Sequence, residues 1–272
     1  MKQKGTPHKN QPSRQPIKPA KLPTQEVERE DQIEGRNAVL EALKSGQEIN
    51  KLYVAKGEIS GSLKQILAIA KERSVFIKEV DRSALDAMSQ SRAHQGVIAT
   101  ISPVHYVSVD DILAKAKEKN EPPFVILLDE ICDPNNLGSI LRTADAVGAH
   151  GVIIPKHRSI SVTPTVAKVA AGAVAYVPIA RVSNLGNTID YLKEQGLWIA
   201  GTDLQGAVPF YQSNLKGALG IVIGSEGHGM TRLVTQKCDF IINIPMSGEI
   251  SSLNAGVAAG IILYEAYRQR NA

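Results

Sequence analysis

The chain is organised around the stretch 221–267, which reads IVIGSEGHGM (221–230), then IINIP (241–245), then MSGEISSLNAGVAAGIILYEAY (246–267). The first apolar run stops at a glycine-rich turn, the second stops at a proline, and a helix rich in glycine and alanine is expected to follow. Ligands of open α/β sheets bind beyond the carboxyl ends of the strands. The stretch therefore predicts a small-molecule site where two strand ends and one helix start meet.

Apolar runs and helical segments alternate regularly through the second half of the chain. Continuous apolar strands separated by helices indicate a parallel sheet that is covered on both faces. We therefore expect an α/β, Rossmann-like doubly wound domain over residues 124–272. Its strands are predicted at 124–128, 151–155, 176–180, 197–201, 219–224 and 240–245.

A smaller α/β module is predicted over residues 32–104. Helical spacing of apolar residues indicates helices over 33–46, 63–73 and 83–89, and apolar runs indicate strands over 51–55, 75–80 and 96–102. Such a module is large enough to form a separate domain. Residues 105–123, a charged helix that ends in a Pro-Pro pair, are expected to connect the two domains.

Charge is unevenly distributed along the chain. Six of the 31 basic residues precede Glu26, with no acidic residue among them, so the other 25 face 27 acidic residues. The tail 1–31 is rich in Pro, Gln and Lys and is expected to be disordered. The folded body is not broadly basic, so nucleic-acid binding has to depend on the tail or on local patches.

Composition also limits the cellular context and the class of protein. Two cysteines do not make a disulfide framework, and the chain starts with a polar tract rather than an apolar leader. The longest apolar stretches fall short of the roughly 18 residues that a membrane helix needs. These features predict a cytoplasmic protein with no membrane role.

Several common sites are excluded by their motifs. The segment GSEGHG (224–229) has the wrong spacing and the wrong position for a dinucleotide-binding loop, and no GxxxxGK[ST] sequence occurs. The six histidines show no metal-ligand spacing, and no GxSxG elbow is present. A nicotinamide dehydrogenase, a nucleoside triphosphatase, a metal site and a serine hydrolase are therefore disfavoured.

The segment DEICDPNNLGSILRTADAVGAHG (129–151) predicts a helix that starts after Asp133. Leu137, Ile140, Leu141 and Ala144 form its apolar stripe, and Arg142 projects on nearly the opposite side. Arg142 has two interpretations: a solvated side chain paired with Asp145, or a functional group at the sheet edge where the 221–267 stretch also ends.

Three blocks together resemble a known family. NNLGSILRTADAVGAHGVII, IVIGSEGHGM and IPMSGEISSLNAGVAAGIILYEAYRQR, in this order, are similar to the signature motifs of the SpoU/TrmH family of RNA ribose 2′-O-methyltransferases, in the SPOUT superfamily. GRNAVLEAL and HQGVIATIS in the first module resemble the substrate-binding domain of members that methylate a guanosine in 23S ribosomal RNA. The resemblance implies RNA, rather than DNA, as the partner.

The resemblance further implies S-adenosylmethionine as the methyl donor, bound in a cleft formed by a deep trefoil knot, and a homodimer built through the methyltransferase domain. General topology alone predicts no knot, because threaded chains are very rare. The residues that match the family's cofactor contacts are Thr202, Gly224, Ser225, Ile244, Met246, Ser252, Leu253 and Asn254. The residues that match its functionally important polar groups are Asn136, Arg142, Glu226, Ser252 and Asn254. One departure is Gly256, which stands where many members have a serine.

Methylation requires that a ribose 2′-hydroxyl lose its proton while it attacks the sulfonium methyl in line. Arginine is a poor base, so we expect Arg142 to contact an adjacent RNA phosphate and to help activate the hydroxyl. Asn136 and Glu226 either fix the geometry of the loop and the arginine or serve as caps of a helix and a turn.

Two further interpretations stay open at this point. A tRNA ribose 2′-O-methyltransferase would have the same catalytic motifs with different flanking domains. A non-catalytic RNA-binding or ribosome assembly factor could retain the fold, although intact Arg142 and Glu226 argue against it. The last helix has many small residues through which a second subunit could approach, and an intramolecular core role explains the same pattern.

Overall fold

The computed structural model describes residues 32–57, 61–204, 208–249 and 252–272. The basic tail expected over 1–31 lies outside the described residues. The described residues form two sheets, one in each half of the chain.

The first sheet has four strands among the described residues, in the order β1-β4-β2-β3. The central strand β2 pairs antiparallel with β4 and parallel with β3, and β1 adds an antiparallel edge to β4. Apolar residues of α1 and α2 cover one face of this sheet. The strands are β1 (Gln32–Glu34), β2 (Ile49–Ala55), β3 (Ile77–Val80) and β4 (Val97–Ile101), and the helices are α1 (Arg36–Lys44), α2 (Ser62–Glu72) and α3 (Arg82–Met88).

The second sheet has seven strands within the described ranges, in the order β7-β6-β5-β10-β8-β11-β9, and all of its strand pairs are parallel. The parallel α/β sheet predicted from the continuous apolar strands is confirmed. Its strands are β5 (Phe124–Leu128), β6 (Gly151–Pro155), β7 (Ile179–Val182), β8 (Trp198–Thr202), β9 (Val208–Pro209), β10 (Leu219–Ile223) and β11 (Phe240–Asn243). Its helices are α4 (Val109–Glu118), α5 (Pro134–Ala146), α6 (Pro164–Val169), α7 (Leu185–Glu194), α8 (Arg232–Lys237) and α9 (Ala255–Arg270).

Some element bounds differ from the sequence prediction. The strand predicted over 176–180 begins three residues later, because a 3₁₀ turn at Ala173–Ala175 precedes it and leaves Tyr176 71% exposed. The first helix begins at Arg36, since β1 takes the residues before it. The short elements β1, β9 and α8 were not predicted.

Residues 105–123, expected as an interdomain connection, also form part of the second core. Helix α4 begins with a capping box between Ser108 and Asp111. Ile112 and Ala116 of this helix are fully buried, and Ile112 packs with the apolar side chains beneath β5 and β6. No helix within the described parts of the chain is both long and apolar enough to cross a membrane.

A buried polar cluster joins the two sheets. Asn50 of β2 is 3% exposed, and its Nδ2 donates to the carbonyl of Val162 at 2.9 Å. The hydroxyl of Tyr106 donates to Asn50 Oδ1 at 2.8 Å and accepts from the backbone nitrogen of Val162 at 3.0 Å. The guanidinium of Arg181 lies 5.0 Å from the centre of the Tyr106 ring. Directional hydrogen bonds therefore define how the small module sits on the larger domain.

Candidate active site

A cleft of about 370 Å³ lies at the carboxyl edge of the seven-stranded sheet. Its walls come from the residues that follow β8, β10 and β11 and from the start of α9. This position is where parallel α/β sheets commonly place their ligands. The volume falls within the range of small-molecule sites.

The cofactor residues proposed from the sequence are gathered around this cleft. Asn254 does not line it and instead caps α9, with its Oδ1 accepting from the backbone nitrogens of Gly256 and Val257. Ile223, Ile242 and Ile262 add an apolar wall. The predicted residues that line the cleft are Thr202, Gly224, Ser225, Ile244, Met246, Ser252 and Leu253.

The two ends of the loop after β10 are hydrogen-bonded to each other. Ser225 and Gly229 exchange two backbone hydrogen bonds of 2.9 Å each. A Cβ on Gly224 would lie 2.3 Å from the carbonyl carbon of Gly229 and 2.5 Å from the nitrogen of Met230, so no side chain fits there. The far end of the loop is held by the buried carboxylate of Asp129, which accepts from the backbone nitrogen of Thr231 at 2.6 Å.

A polar network joins three chain segments beside the cleft. Asn136 Nδ2 donates to Glu226 Oε1 at 2.9 Å. Asn254 Nδ2 donates to Asn136 Oδ1 at 2.8 Å and also to Glu226 Oε1. The same carboxylate oxygen accepts from the backbone nitrogen of Ala255 at 3.2 Å, at the start of α9. The site residues Asn136, Glu226 and Asn254 are therefore in direct contact.

The contacts of Asn136 and Glu226 bear on both interpretations of these residues. The cap of α5 is Asp133, whose Oδ1 accepts from the nitrogens of Asn135 and Asn136 at 2.9 Å. The Asn136 side chain is thus not a cap, and it is 6% exposed. Glu226 caps the start of α9 rather than its own turn. Both side chains fix how the loop, α5 and α9 meet.

Gly256 lies where α9 crosses α5. A Cβ at this position would lie 3.1 Å from Ser139 Cβ and 3.2 Å from Asn254 Oδ1. Such contacts are tighter than ordinary packing, so a larger residue here would require Ser139 or the Asn254 side chain to shift by a few tenths of an ångström. Gly256, where the resemblance implied a serine, thus permits close packing of α9 against α5.

Arg142 lies outside the network. Its apolar neighbours Ile140 and Leu141 are buried, as the stripe predicts, and Arg142 itself is exposed. It makes no hydrogen bond or ion pair with any residue that the structure describes, and the pair with Asp145 is not formed. Its guanidinium is therefore available to an external partner.

Sequence reasoning missed some polar groups of this site. Asp129 directly follows β5, and Asn243 ends β11; the same strand-end rule that pointed to Gly224 could have found both. Asn243 lines the cleft, and its Oδ1 is buried with no hydrogen-bond partner among the described residues. A buried acceptor of this kind is costly unless a ligand or water satisfies it.

The fold and the site define the class of protein, and comparison with known proteins defines its family. A parallel α/β domain with a small-molecule cleft at its strand ends, joined to a small α/β module, is typical of a two-domain enzyme. Residues 123–264 match the profile described as the SpoU rRNA Methylase family, and residues 32–107 match the profile described as RNA 2′-O ribose methyltransferase substrate binding. The chain belongs to the SpoU rRNA methylase family.

Individual relatives agree with this assignment. A Bacillus subtilis protein named for the TrmH family of tRNA/rRNA methyltransferases is 48% identical over 89% of this chain and 96% of its own length. An AdoMet-bound rRNA methyltransferase from Sinorhizobium meliloti is similar in structure, with a TM-score of 0.55 and 27% identity over 87% of this chain and 86% of that one. A TrmH/SpoU tRNA modifying enzyme from A. aeolicus gives a TM-score of 0.52 and 28% identity over 59% of this chain and 84% of that one.

The protein is thus an RNA methyltransferase, and 2′-O-ribose methylation is the reaction of its class. This class of enzyme accounts for the cleft without a nicotinamide dehydrogenase or a phosphate-hydrolysing enzyme. Within the described residues, no group of three His, Cys, Asp or Glu side chains gathers that could hold a metal ion.

Proposed function

We propose that this chain transfers the methyl group of S-adenosylmethionine to the ribose 2′-hydroxyl of a guanosine in 23S ribosomal RNA. The observation that carries the proposal is the contact between Asn136, Glu226 and Asn254, which brings three motif segments together at the rim of one cleft. The trefoil knot stays a prediction.

The residues around the cleft fit S-adenosylmethionine. An apolar wall of Ile223, Ile242 and Ile262 suits the adenine ring, and backbone groups of the closed loop offer hydrogen bonds beside it. The unsatisfied Oδ1 of Asn243 offers a buried acceptor to an amine or hydroxyl of the ligand. When bound, the cofactor supplies a methyl group on a positively charged sulfur. The residues proposed to hold it are Thr202, Gly224, Ser225, Ile244, Met246, Ser252 and Leu253, while Asn254 caps α9 behind them.

The polar side chains beside the cleft have separate roles, one in binding RNA and the others in positioning the loop. Arg142 is exposed and unpaired within the described chain, so it can bind a phosphate next to the target ribose and orient the 2′-hydroxyl. A guanidinium is protonated at any pH at which proteins are folded. The proton of the hydroxyl therefore passes to the phosphate or to water rather than to Arg142. The hydrogen bond between Asn136 and Glu226 holds the loop after β10 against α5. Ser252 lines the cleft nearby.

The share of this chain that aligns with solved structures favours ribosomal RNA over tRNA as the substrate. The rRNA methyltransferase from Sinorhizobium meliloti aligns over both domains, whereas the tRNA modifying enzyme aligns over 59% of this chain. The N-terminal module is therefore the part that distinguishes the two substrate classes. No contact among the described residues favours the alternative of a non-catalytic assembly factor.

A homodimer through the methyltransferase domain is part of the proposal. Helix α9 buries Ala259, Ile262 and Leu263 in the core. Its opposite side presents an exposed apolar face that suits a second copy of the chain. The exposed residues of this face are Val257, Ile261, Tyr264 and Tyr267, and the half-buried Gly260 lies among them.

The test is methylation of isolated 23S ribosomal RNA with S-adenosylmethionine labelled in its methyl group. The expected product is a single 2′-O-methylguanosine, located by nuclease mapping of the labelled fragment. A total tRNA preparation is treated in parallel. Labelling of tRNA alone would replace the proposed target, and no labelling of any RNA, with or without assembling subunits, would contradict the proposed activity.

A further inference from the structure

Positive and aromatic side chains gather where the N-terminal sheet meets the methyltransferase domain. They come from β2, from β3 and its preceding residue, and from the residues that follow β6. We call this group the basic face. Its members are Lys51, Tyr53, Phe76, Lys78, Lys156 and His157.

Within the N-terminal module, the basic face lies on one side of the sheet. The ammonium of Lys51 lies 5.3 Å from the centre of the Phe76 ring and 5.7 Å from that of Tyr53. Tyr53 is paired with Lys78 across the strands β2 and β3, so the two side chains point the same way. Helix α2 packs on the other side of the sheet, through Leu63 and Ile66.

The basic face continues across the boundary between the domains. The rings of Phe76 and His157 meet edge to face, with centres 4.8 Å apart. Lys156 Nζ donates to the carbonyl of Ser74 at 3.5 Å. The fixed join through Asn50 holds the two halves of the face together.

The positive charge of this face is not neutralised within the described chain. None of its three lysines forms an ion pair with a described carboxylate. Burial, then the neighbouring cations Lys78 and Arg181, lowers the pKa of Lys51. The acidic residue Glu48 lies near Arg181 and is engaged with His105 at 3.3 Å. Clustered cations without carboxylates are the footprint of phosphate binding.

We propose that the basic face binds a single-stranded segment of the RNA substrate, with phosphates on the lysines and bases stacked against the rings. Half-buried rings beside cations suit unpaired bases, because the bases of a duplex are already stacked on one another. This inference rests on the proposed function, since it concerns how that RNA reaches the cleft.

The path from the basic face to the cleft is short. Lys156 directly follows β6, and Gly224 directly follows β10; β5 alone separates these two strands in the sheet. Two strand spacings are about 10 Å. An RNA strand held on Lys156 can therefore place a nearby nucleotide at the cleft.

The experiment measures binding of a fluorescein-labelled single-stranded RNA of mixed sequence by fluorescence anisotropy, over a range of salt concentrations and without S-adenosylmethionine. The double variant Lys51→Ala/Lys78→Ala should bind about ten-fold more weakly at low salt, and the log-log salt slope should fall by about 1.4, because each phosphate contact with a single strand contributes about 0.7. Lys51→Arg/Lys78→Arg should restore both.

The matched control is Lys64→Ala/Lys71→Ala, which removes the same charge from exposed positions of α2 on the other side of the sheet. Phe76→Leu keeps an apolar side chain but loses a stacking surface, so it should weaken binding about five-fold or more without changing the salt slope. Circular dichroism melting of every variant separates lost binding from lost folding.

The inference is overturned if the α2 control weakens binding as much as the Lys51/Lys78 double variant, if the salt slope is unchanged, or if the same RNA annealed to its complement binds as well as the single strand. A failure of the proposed function gives a different result: the wild-type protein would methylate no ribosomal RNA while the binding pattern still held. In methylation assays the basic-face variants should raise KM for RNA and leave kcat near the wild-type value.

Discussion

Asn136 and Glu226 lie 90 positions apart in the chain, yet the amide of Asn136 donates to the Glu226 carboxylate at 2.9 Å. The contact joins the start of α5 to the loop after β10. Because Asn254 and the start of α9 use the same carboxylate oxygen, one side chain holds three segments at the rim of the cleft.

Glu226→Ala should therefore lower methyl transfer strongly. The substitution removes the acceptor of the Asn136 amide and one of the two acceptors of the Asn254 amide. Hydrogen bonds to a charged group contribute about 1.5–3 kcal/mol, which corresponds to a loss of about 10- to 100-fold. Glu226→Gln keeps an acceptor oxygen and should retain most of the activity. Initial rates at saturating RNA, with calorimetric binding of S-adenosylmethionine, measure both effects. Equal activity of the alanine and wild-type proteins would show that the network has no positioning role.

Gly224→Ala should weaken binding of S-adenosylmethionine by about 10- to 100-fold, because the loop has to open to admit a methyl group against its own backbone. Gly248→Ala is the matched control, since a Cβ there meets nothing within 4 Å. Isothermal titration calorimetry measures the affinity, and unchanged affinity in the Gly224 variant would show that the loop does not form part of the cofactor site.

Arg142→Ala should lower kcat by about 100-fold while the RNA affinity changes little, since the contact orients a reacting hydroxyl rather than holding the whole substrate. Arg142→Lys keeps the charge but loses the planar fork, so it should restore only part of the rate. Single-turnover methylation and anisotropy binding separate these quantities. Near-normal methyl transfer by a variant that binds RNA normally would remove Arg142 from the mechanism.

Ile261→Asp should convert a dimer into a monomer at micromolar concentration. The exposed apolar face of α9 would then carry a charge at its centre, and burying an unpaired charge in an interface is unfavourable. Ile261→Leu keeps the apolar surface and should remain dimeric. Sedimentation velocity measures the association state, and a wild-type protein that is monomeric at the same concentration would contradict the proposed interface.

Glu34→Gln should destabilise the N-terminal module at neutral pH but not in strong acid. Burial raises the pKa of Glu34, but hydrogen bonds from Ser89, Ser91 and the backbone of Gln90 outweigh this effect and lower the pKa from 4.5 to about 2. A depressed pKa contributes stability that is present above 4.5 and is lost as the pH falls toward about 2.

The expected difference in melting temperature between the Glu34 variant and the wild type is about 2–4 °C at neutral pH, which allows for solvent screening of a partly exposed group. It should shrink steadily in acid. Glu41→Gln, at an exposed position of α1, is the control and should show no such trend. A difference that is independent of pH would mean that the carboxylate charge does not contribute.

Much of the fold follows from local patterns. The apolar runs of β5, β6 and β10 predict buried parallel strands, and Asp133 with the stripe through Leu137 and Ile140 predicts α5. The short edge strands β1 and β9 could not be predicted, because pairing with β4 and β11 rather than their own apolar content defines them. The apolar run YVPIA (176–180) predicts a strand that includes Tyr176, but a turn leaves this residue exposed.

The candidate site was predictable in its residue types but not in its contacts. Sequence motifs placed Asn136, Glu226 and Asn254 in a common site, but no local signal shows that one carboxylate oxygen accepts hydrogen bonds from both asparagines. The position of Asp129 at a strand end is visible in the sequence, but its hydrogen bond with a backbone nitrogen 102 residues later is not. Long-range partners of this kind depend on topology, which a single sequence does not display.

The hydrogen bonds of Asn50 fix the arrangement of the two domains. Its buried amide is satisfied in one arrangement of the two domains, so the basic face and the cleft keep a constant separation. The proposed RNA path therefore has a fixed length between the basic face and the cleft, which limits the nucleotides of a bound strand that can reach the methyl donor.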